Sequence, residues 1–304
     1  MTEAPHRAGF VSIAGRPNAG KSTLLNALVG EKLAITAHQP QTTRTSIQGV
    51  LTSADAQIVF IDSPGIHTSN TLFNKRMMSA LHRAVEDRDL VLYVADSSKP
   101  VTDQDQEALS VLSTAARVLF VPNKTDRLAD KRVLLPLIQR YMELFPFVDV
   151  VPVSARKGDG LDELKRVVKQ YLPESPALFP EDYLTDQPIR FLAAEIVRES
   201  ILRATREEVP HATAVLIDEW EETPRLAKIA VTIHVERSGQ KIILIGKKGH
   251  LLKQIGSEAR HELERLLGTK VFLSLFVKVK PHWREDPDFL NHVDWRSMIG
   301  SEDR

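Results

Sequence analysis

The sequence predicts an α/β protein: a mostly parallel sheet with helices on both faces, followed by a smaller α+β unit. Three observations predict it. From Phe10 to about Leu172, short apolar runs alternate with longer amphipathic segments, the pattern of strand–helix–strand units. A proline-rich stretch then intervenes, and beyond it the apolar period alternates between two and about 3.6 residues. The length, 304 residues, suits two domains at about 150 residues each.

The strands of the first half are, in order, FVSIAG, QIVFID, DLVLYVAD, RVLFVP and VDVVPVSA. Several are apolar at successive residues, as strands covered on both faces must be. The helices fall at Lys21–Val29, Asn74–Glu86, Gln104–Thr114, Asp130–Leu144 and Leu161–Tyr171. Pro173, Pro176, Pro180 and Pro188 mark a linker, because proline blocks regular structure and stiffens the chain. The second half reads as helix Phe191–Arg206, strands Ala212–Trp220 and Lys228–Glu236, helix His250–Leu267 and strand Val271–Lys280. Ile229, Val231, Ile233 and Val235 alternate with less apolar residues, a half-buried strand. Leu251, Ile255, Ala259 and Leu263 recur every fourth residue, one face of a helix. The run IILI (242–245) fits helix or strand by periodicity alone. The expected boundaries are 9–172 for the first domain, 173–189 for the linker, 190–282 for the second domain and 283–304 for a tail. The tail carries Trp283, His292 and Trp295, which could pack on the second domain.

Composition excludes several classes. There are no cysteines, so disulfides, thiolate catalysis and cysteine metal sites are out. No run approaches the roughly 18 apolar residues of a membrane span, and MTEAPHRAGF lacks a signal peptide's apolar core. The expectation is a soluble, monomeric, cytoplasmic protein, with peripheral contact to the inner face of the cell membrane left open. Lys+Arg and Asp+Glu are both 40, yet the charge is segregated. Residues 174–240 hold 7 basic and 13 acidic residues, whereas 241–280 hold 9 basic and 3 acidic ones. A basic segment of net +6 is therefore concealed in a neutral total, the kind of footprint that nucleic acid attracts.

Three motifs carry chemistry in the first half. Gly15-Arg16-Pro17-Asn18-Ala19-Gly20-Lys21-Ser22 fits G-x-x-x-x-G-K-[ST] between a strand and a helix, the context a phosphate loop requires. Its backbone amides, with those of Thr23 at the helix start, point at phosphate oxygens, and the helix dipole favours the same charge. Lys21 can reach β- and γ-phosphates, and the Ser22 hydroxyl suits Mg²⁺. Asp62-Ser63-Pro64-Gly65 ends the next apolar strand. Asp62 is placed to hold Mg²⁺ through water, and Gly65 to offer its amide to a γ-phosphate. Asn123-Lys124-Thr125-Asp126 ends a third strand. The two oxygens of Asp126 match the adjacent N1–H and N2–H₂ donors of guanine, which adenine lacks. Lys124 can lie over the base, and Ser154-Ala155-Arg156 can offer a backbone amide to guanine O6.

In this order the motifs resemble the GTPase branch of the P-loop fold. The resemblance implies a mobile loop at Ile35-Thr36-Ala37-His38-Gln39-Pro40-Gln41-Thr42-Thr43-Arg44 whose threonine completes Mg²⁺ coordination. Thr43 is taken over Thr42. Lys21, Thr43 and Gly65 are the residues expected to act on the γ-phosphate. Ile66 stands where Ras-like enzymes carry Gln, and an aliphatic side chain cannot orient water. His67 is a weak substitute, since a loop histidine is more often solvated. Asn18 is the residue that some relatives use to hold K⁺ at the phosphates; otherwise it stabilises the loop turn.

In the second half, Gly246-Lys247-Lys248-Gly249 precedes a helix inside the basic segment. Glycines permit close approach to a nucleic-acid backbone, and lysines, Lys253 included, neutralise phosphates. The unit resembles a type II KH domain of αββααβ order, which makes IILI a short helix. A GTPase domain followed by one KH domain, with the QTTR, NKTD and VKVKPHW runs, is similar to the Era family of bacterial GTPases. That resemblance implies GTP/GDP and Mg²⁺ as ligands, the single-stranded 3′ end of 16S rRNA as partner, and a role in maturation of the 30S subunit. The competing readings are an RNA-binding module whose nucleotide site is only structural, and a small-molecule P-loop kinase. The intact Lys21, Ser22, Asp62 and Asp126 oppose the first, and the guanine-type NKTD opposes the second.

Overall fold

The computed structural model describes residues 5–37, 39, 42–65, 71–86, 88–112 and 117–295. The contacts divide into two units, the first built mainly from residues up to Asp186 and the second from Gln187 onward.

The first unit begins with β1 (Arg7–Ala14), α1 (Lys21–Val29), β2 (Ile47–Ser53), β3 (Ala56–Asp62) and α2 (Leu72–Val85). It continues with β4 (Leu90–Asp96), α3 (Asp103–Ser110), β5 (Val118–Asn123), α4 (Leu134–Leu144), β6 (Asp149–Val150) and α5 (Leu161–Tyr171). The sheet order is β2-β3-β1-β4-β5-β6. Every pair is parallel except β2 with β3. β3 and β5 are buried at every residue, which is why their sequences show no alternation. One core packs α1 and α5 on Val11, Ile13, Ile58, Phe60, Leu92 and Leu119. The other sets Leu81, Ala108, Leu109 and Tyr141 against Val91, Tyr93 and Phe120. Helices thus cover both faces.

Two expectations need correction. β2 went unread, because IQGVLTS is only half apolar and sits at a sheet edge with Gly49 inside it. The run VDVVPVSA yields just a two-residue strand. Val151 and Val153 still donate to Phe120 O and Pro122 O, but Pro152 has no amide to extend the ladder. The proline-rich segment is irregular and packs on this sheet. Gln57 Oε1 accepts the amides of Leu178 and Phe179 at 2.7 and 2.9 Å, and Val50 N donates to Leu184 O.

The second unit runs α6 (Ile189–Ala204), β7 (Ala214–Thr223), β8 (Leu226–Val235), α7 (Ser238–Ile245), α8 (His250–Leu267), β9 (Lys270–Val279) and α9 (Pro287–Val293). β8 pairs antiparallel to β7 and parallel to β9. Its core joins Ala193, Val197 and Ile201 of α6 to Ile229, Val231 and Ile233 of β8 and to Ile255, Ala259 and Leu263 of α8. IILI is helical, as the family resemblance required. Trp283 is fully buried and donates from Nε1 to Ala212 O at 2.9 Å, and Trp295 is buried beside Phe191. Residues 296–304 of the tail lie outside the described residues. Segment Ile35–Thr42 also belongs to this unit. Thr36 donates from its amide to Glu199 Oε1 at 2.8 Å, Gln39 Nε2 donates to Leu202 O at 2.6 Å, and Arg198 donates to the carbonyl of Thr42.

Candidate nucleotide site and nucleic-acid interface

The loop between β1 and α1 needs glycine at both ends. Gly15 has φ +141° and Gly20 φ +99°. A Cβ on Gly15 would strike the Val94 carbonyl, and one on Gly20 the Asn123 amide. The loop is therefore folded tightly onto β4 and the end of β5. At α1 the first-turn amides have no intrahelical acceptor, which leaves them for an anion.

Lys21 is buried and donates to Gly15 O and Arg16 O at 3.0 and 3.1 Å. Burial pushes its ammonium down to about 8, against the pull of Asp62. Burial likewise pushes the Asp62 carboxyl up, opposed by Lys21 and by bonds from Ser22 and Thr43. The Ser22 hydroxyl donates to Asp62 Oδ2 at 2.6 Å and lies 2.7 Å from Thr43 Oγ1, which is itself 3.1 Å from Asp62 Oδ2. Asp62 Oδ1 is buried without a partner. Two hydroxyls and a carboxylate with an unused oxygen fit a hard divalent cation. Thr42 instead turns its hydroxyl to Gln39 O at 2.7 Å. Ser63 faces inward and donates to Ile13 O. Gly65 runs so close to Pro17 that a Cβ would lie 3.0 Å from three of its atoms. Gln41, Ile66 and His67 lie outside the described residues.

The base pocket is tied to the phosphate loop. Asn123 Nδ2 donates to Ala19 O at 3.0 Å, and its Oδ1 accepts the amides of Lys124 and Ala155 at 2.7 and 3.0 Å. Lys124 donates to the Asn18 carbonyl and to Asp96 Oδ2, the latter at 2.7 Å. Asn18 and Lys124 both hold left-handed backbone, at φ 64°. Asp126 is held by the Ser154 hydroxyl at 2.6 Å. The Ser154 amide donates to Asp159 O, so a guanine O6 arriving here must share the Ala155 amide with Asn123 or use that of Arg156.

Sequence reasoning missed an anchor. Arg16 points away from the loop's interior and donates to Asp105 Oδ2 at 2.7 Å, Thr102 Oγ1 at 2.8 Å and Gln104 Oε1 at 2.6 Å. Asp105 is buried and also accepts from Tyr93 and Tyr141 hydroxyls at 3.3 and 2.9 Å. The available signal was the capping box of α3, where Thr102 and Asp105 bond reciprocally. Asn26 was missed as well. Its side chain grips Leu33 and Ala34 and fixes the departure of the loop after α1.

In the second unit Gly246 leaves α7 at φ 70°, and a Cβ there would lie 2.8 Å from Leu251 Cβ. Lys247, Lys248 and Lys253 are exposed. The GKKG turn therefore presents two exposed lysines between α7 and α8.

Fold and sites together place the chain among P-loop GTPases that carry an appended KH domain. The family model described as 50S ribosome-binding GTPase matches residues 10–124, and the KH-domain model matches residues 208–284. GTPase Era of Geobacter metallireducens is 50% identical over 298 residues, covering 97% of this chain and 100% of that protein. GTPase Era of Lactobacillus delbrueckii subsp. bulgaricus is 43% identical, covering 95% and 96%. Among solved structures, Era in complex with MgGDPNP and nucleotides 1506–1542 of 16S rRNA superposes with TM-score 0.92 at 40% identity, covering 95% of this chain and 99% of that one. An Aquifex aeolicus Era variant bound to GDP and AlF4⁻ gives 0.90 at 41% identity, with the same coverage. The chain belongs to the Era family of GTPases.

Two expected results arise from this geometry. GTP binding should be coupled to proton uptake. Nucleotide phosphates must raise the Lys21 pKa above its value of about 8 in the free protein. A group whose pKa rises on binding contributes its full affinity below the free value and loses it above. Calorimetry in buffers of different ionisation enthalpy should show proton uptake that grows between about pH 7 and pH 8.5. Equal uptake at both pH values removes Lys21 as the titrating group. Asp126→Asn should move preference from guanine to xanthine, because the amide offers a donor to the xanthine C2 carbonyl. The loss for GTP should be roughly 1–3 kcal/mol, the worth of one bidentate pair. Competition between GTP and XTP reads it, and retained GTP preference rejects Asp126 as base reader.

Proposed function

We propose that this chain is a GTP-hydrolysing switch whose KH domain holds the single-stranded 3′ end of 16S rRNA during assembly of the 30S ribosomal subunit. The observation that carries the enzymatic half is the cluster of half-buried Ser22 with buried Thr43 and Asp62 beside Lys21, with Asp62 Oδ1 unused. The solved relative bound to MgGDPNP and to 16S rRNA nucleotides supports both halves.

In this reading the amides of Gly15–Thr23 cradle the phosphates and Lys21 neutralises the β- and γ-groups. Mg²⁺ would be held by Ser22 and Thr43 directly and by Asp62 through water, and it supplies charge neutralisation to the transferred phosphoryl group. Gly65 offers its amide to the γ-phosphate. The γ-phosphate would strengthen the hold on Thr43 and Gly65, and its loss on hydrolysis would loosen their loops, which makes them the switch. Asp126 reads the base, Lys124 covers it, and the 154–156 loop takes O6. Asn18 is proposed to hold K⁺ at the phosphates. Gly246, Lys247, Lys248, Gly249 and Lys253 contact RNA. The working boundaries are 9–172, 173–189, 190–282 and 283–304. No helix among the described residues is long and apolar enough to cross a membrane. We take the protein as a cytoplasmic monomer that contacts the inner membrane face only peripherally.

Hydrolysis measured with and without an oligonucleotide of the 16S rRNA 3′ end tests the reading, in KCl and in NaCl at equal ionic strength. Slow basal turnover, stimulation by RNA and faster turnover in K⁺ are expected. Tight GTP binding with no turnover in any condition leaves the structural-nucleotide reading instead. Equal rates in the two salts remove K⁺ alone.

A further inference from the structure

The outer face of the second unit's sheet is unlike an ordinary exposed sheet face. On β9 the odd residues Val271 and Val277 are buried in the core, whereas Phe272 and Phe276 point the other way and are 60% and 55% exposed. The parallel register sets Phe272 beside Lys228 and Phe276 beside Thr232 of β8. The same face of β9 carries Lys270, Ser274 and Lys278. Lys270 and Lys278 flank the two rings, and no acidic residue lies on this face of β8 or β9. The acids are on β7, where Glu219 and Glu221 face Ala230 and Lys228, and Glu221 pairs with Lys228 at 3.4 Å. Asp218 of β7 also reaches this face, accepting from the buried Thr232 hydroxyl at 2.5 Å, and Phe289 of α9 packs edge-on against His234 of β8. Lys270 lies 4.0 Å from Glu264 of α8. The face is therefore acidic at β7, covered at the His234 end of β8, and open, basic and aromatic along the β9 edge.

Two exposed rings four residues apart stand about 13 Å from one another on a strand. Exposed aromatics on a sheet, bordered by lysines, are the elements by which sheet platforms stack unpaired bases and hold their phosphates. An exposed apolar pair on an edge strand otherwise invites aggregation. β9 also packs against α7 and α8, which carry the GKKG turn.

We propose that the β9 edge of this outer face is a second single-stranded RNA subsite. Phe272 and Phe276 are its stacking platforms, and Lys228, Lys270 and Lys278 its phosphate contacts. It takes nucleotides continuing from the roughly four that a KH turn clamps, and in that respect rests on the RNA reading given above. The acidic β7 side repels phosphates and confines the strand to the β9 edge.

The test uses the full chain and two oligonucleotides of the 16S rRNA 3′ end, one of five nucleotides and one of twelve. Phe272→Leu with Phe276→Leu keeps apolar area and removes the rings. It should weaken the twelve-nucleotide RNA about tenfold or more, in line with the loss of base–aromatic stacking, and leave the five-nucleotide RNA unchanged. Phe272→Trp should retain affinity and show fluorescence quenching, relative to wild type, with the longer RNA only. Wild-type affinity of the double variant for the longer RNA overturns the proposal, as does an equal loss for both lengths. Concentration-dependent dimerisation abolished by the leucine pair also overturns it, since the face would then serve a second copy. Lys247→Asp with Lys248→Asp separates the two readings. If that variant keeps the five-nucleotide affinity, the GKKG assignment is what fails, and the Phe272→Trp signal still decides the outer face.

Discussion

Lys21→Ala should abolish useful GTP binding while leaving the nucleotide-free protein folded. In the proposed reading the ammonium meets both the β- and γ-phosphates, and each charge-assisted contact contributes roughly 1.5–3 kcal/mol. Two contacts predict a loss of about 3–6 kcal/mol, on the order of a hundredfold to ten-thousandfold in affinity. The free protein behaves differently. Burial holds Lys21 down to about 8, so its charge is unfavourable there until a nucleotide arrives. Removing it relieves that desolvation, which offsets the loss of its bonds to Gly15 O and Arg16 O and of its attraction to Asp62, a carboxyl that burial already pushes toward its neutral form. The thermal midpoint without nucleotide should therefore move little, whereas the stabilisation that excess GTP gives the wild type should vanish. Unchanged GTP affinity rejects the phosphate-loop assignment. Collapse of the nucleotide-free fold assigns Lys21 a structural role instead.

The contrast between Lys21 and Asp105 shows what the sequence could and could not convey. The phosphate loop was legible because its requirements are local: glycines at both ends, a lysine and a hydroxyl at fixed spacing, a strand before and a helix after. Asp62 and Asp126 were legible for the same reason, each at the end of an apolar strand. Asp105 is separated from Arg16 by 89 positions, and no local pattern announces that a capping carboxylate will reach across to the loop. The ties between Ile35–Thr42 and Glu199, Leu202 and Arg198 are equally non-local. They were missed although the loop itself was recognised.

The strands follow the same division. Those buried on both faces are continuous apolar runs and were read with ends displaced by a residue or a few. β2 is a partly polar edge strand whose identity depends on pairing with β3, and pairing is a tertiary fact. In the second unit, α8 was readable from its four-residue repeat, whereas α7 needed family resemblance. Its outer face exposes Ile242 and Ile243, which destroys the amphipathic signal that periodicity relies on.

Changing Lys247 and Lys248 together to Asp should weaken RNA binding and spare the GTPase. Both side chains are exposed in the GKKG turn, and exposed charge changes of this kind scarcely alter folding. Lys248 has φ 52°, a conformation that Asp tolerates better than most residues. Each lysine that neutralises a phosphate releases a counterion, so each lost contact should flatten the plot of log affinity against log salt by about 0.7 for single-stranded RNA. Two contacts predict a change of roughly 1.4, with weaker binding at every low salt concentration because attraction has become repulsion. The turn belongs to the second unit, and none of the proposed phosphate- and base-binding residues belongs to that unit. Basal hydrolysis should accordingly persist, while stimulation by RNA disappears. Filter binding of a single-stranded 16S 3′-end oligonucleotide over a salt series, with hydrolysis followed in parallel, reads both. Wild-type affinity and slope in the double variant remove the turn from the RNA interface. Lost basal hydrolysis with intact RNA binding means the two functions have been assigned to the wrong halves of the chain.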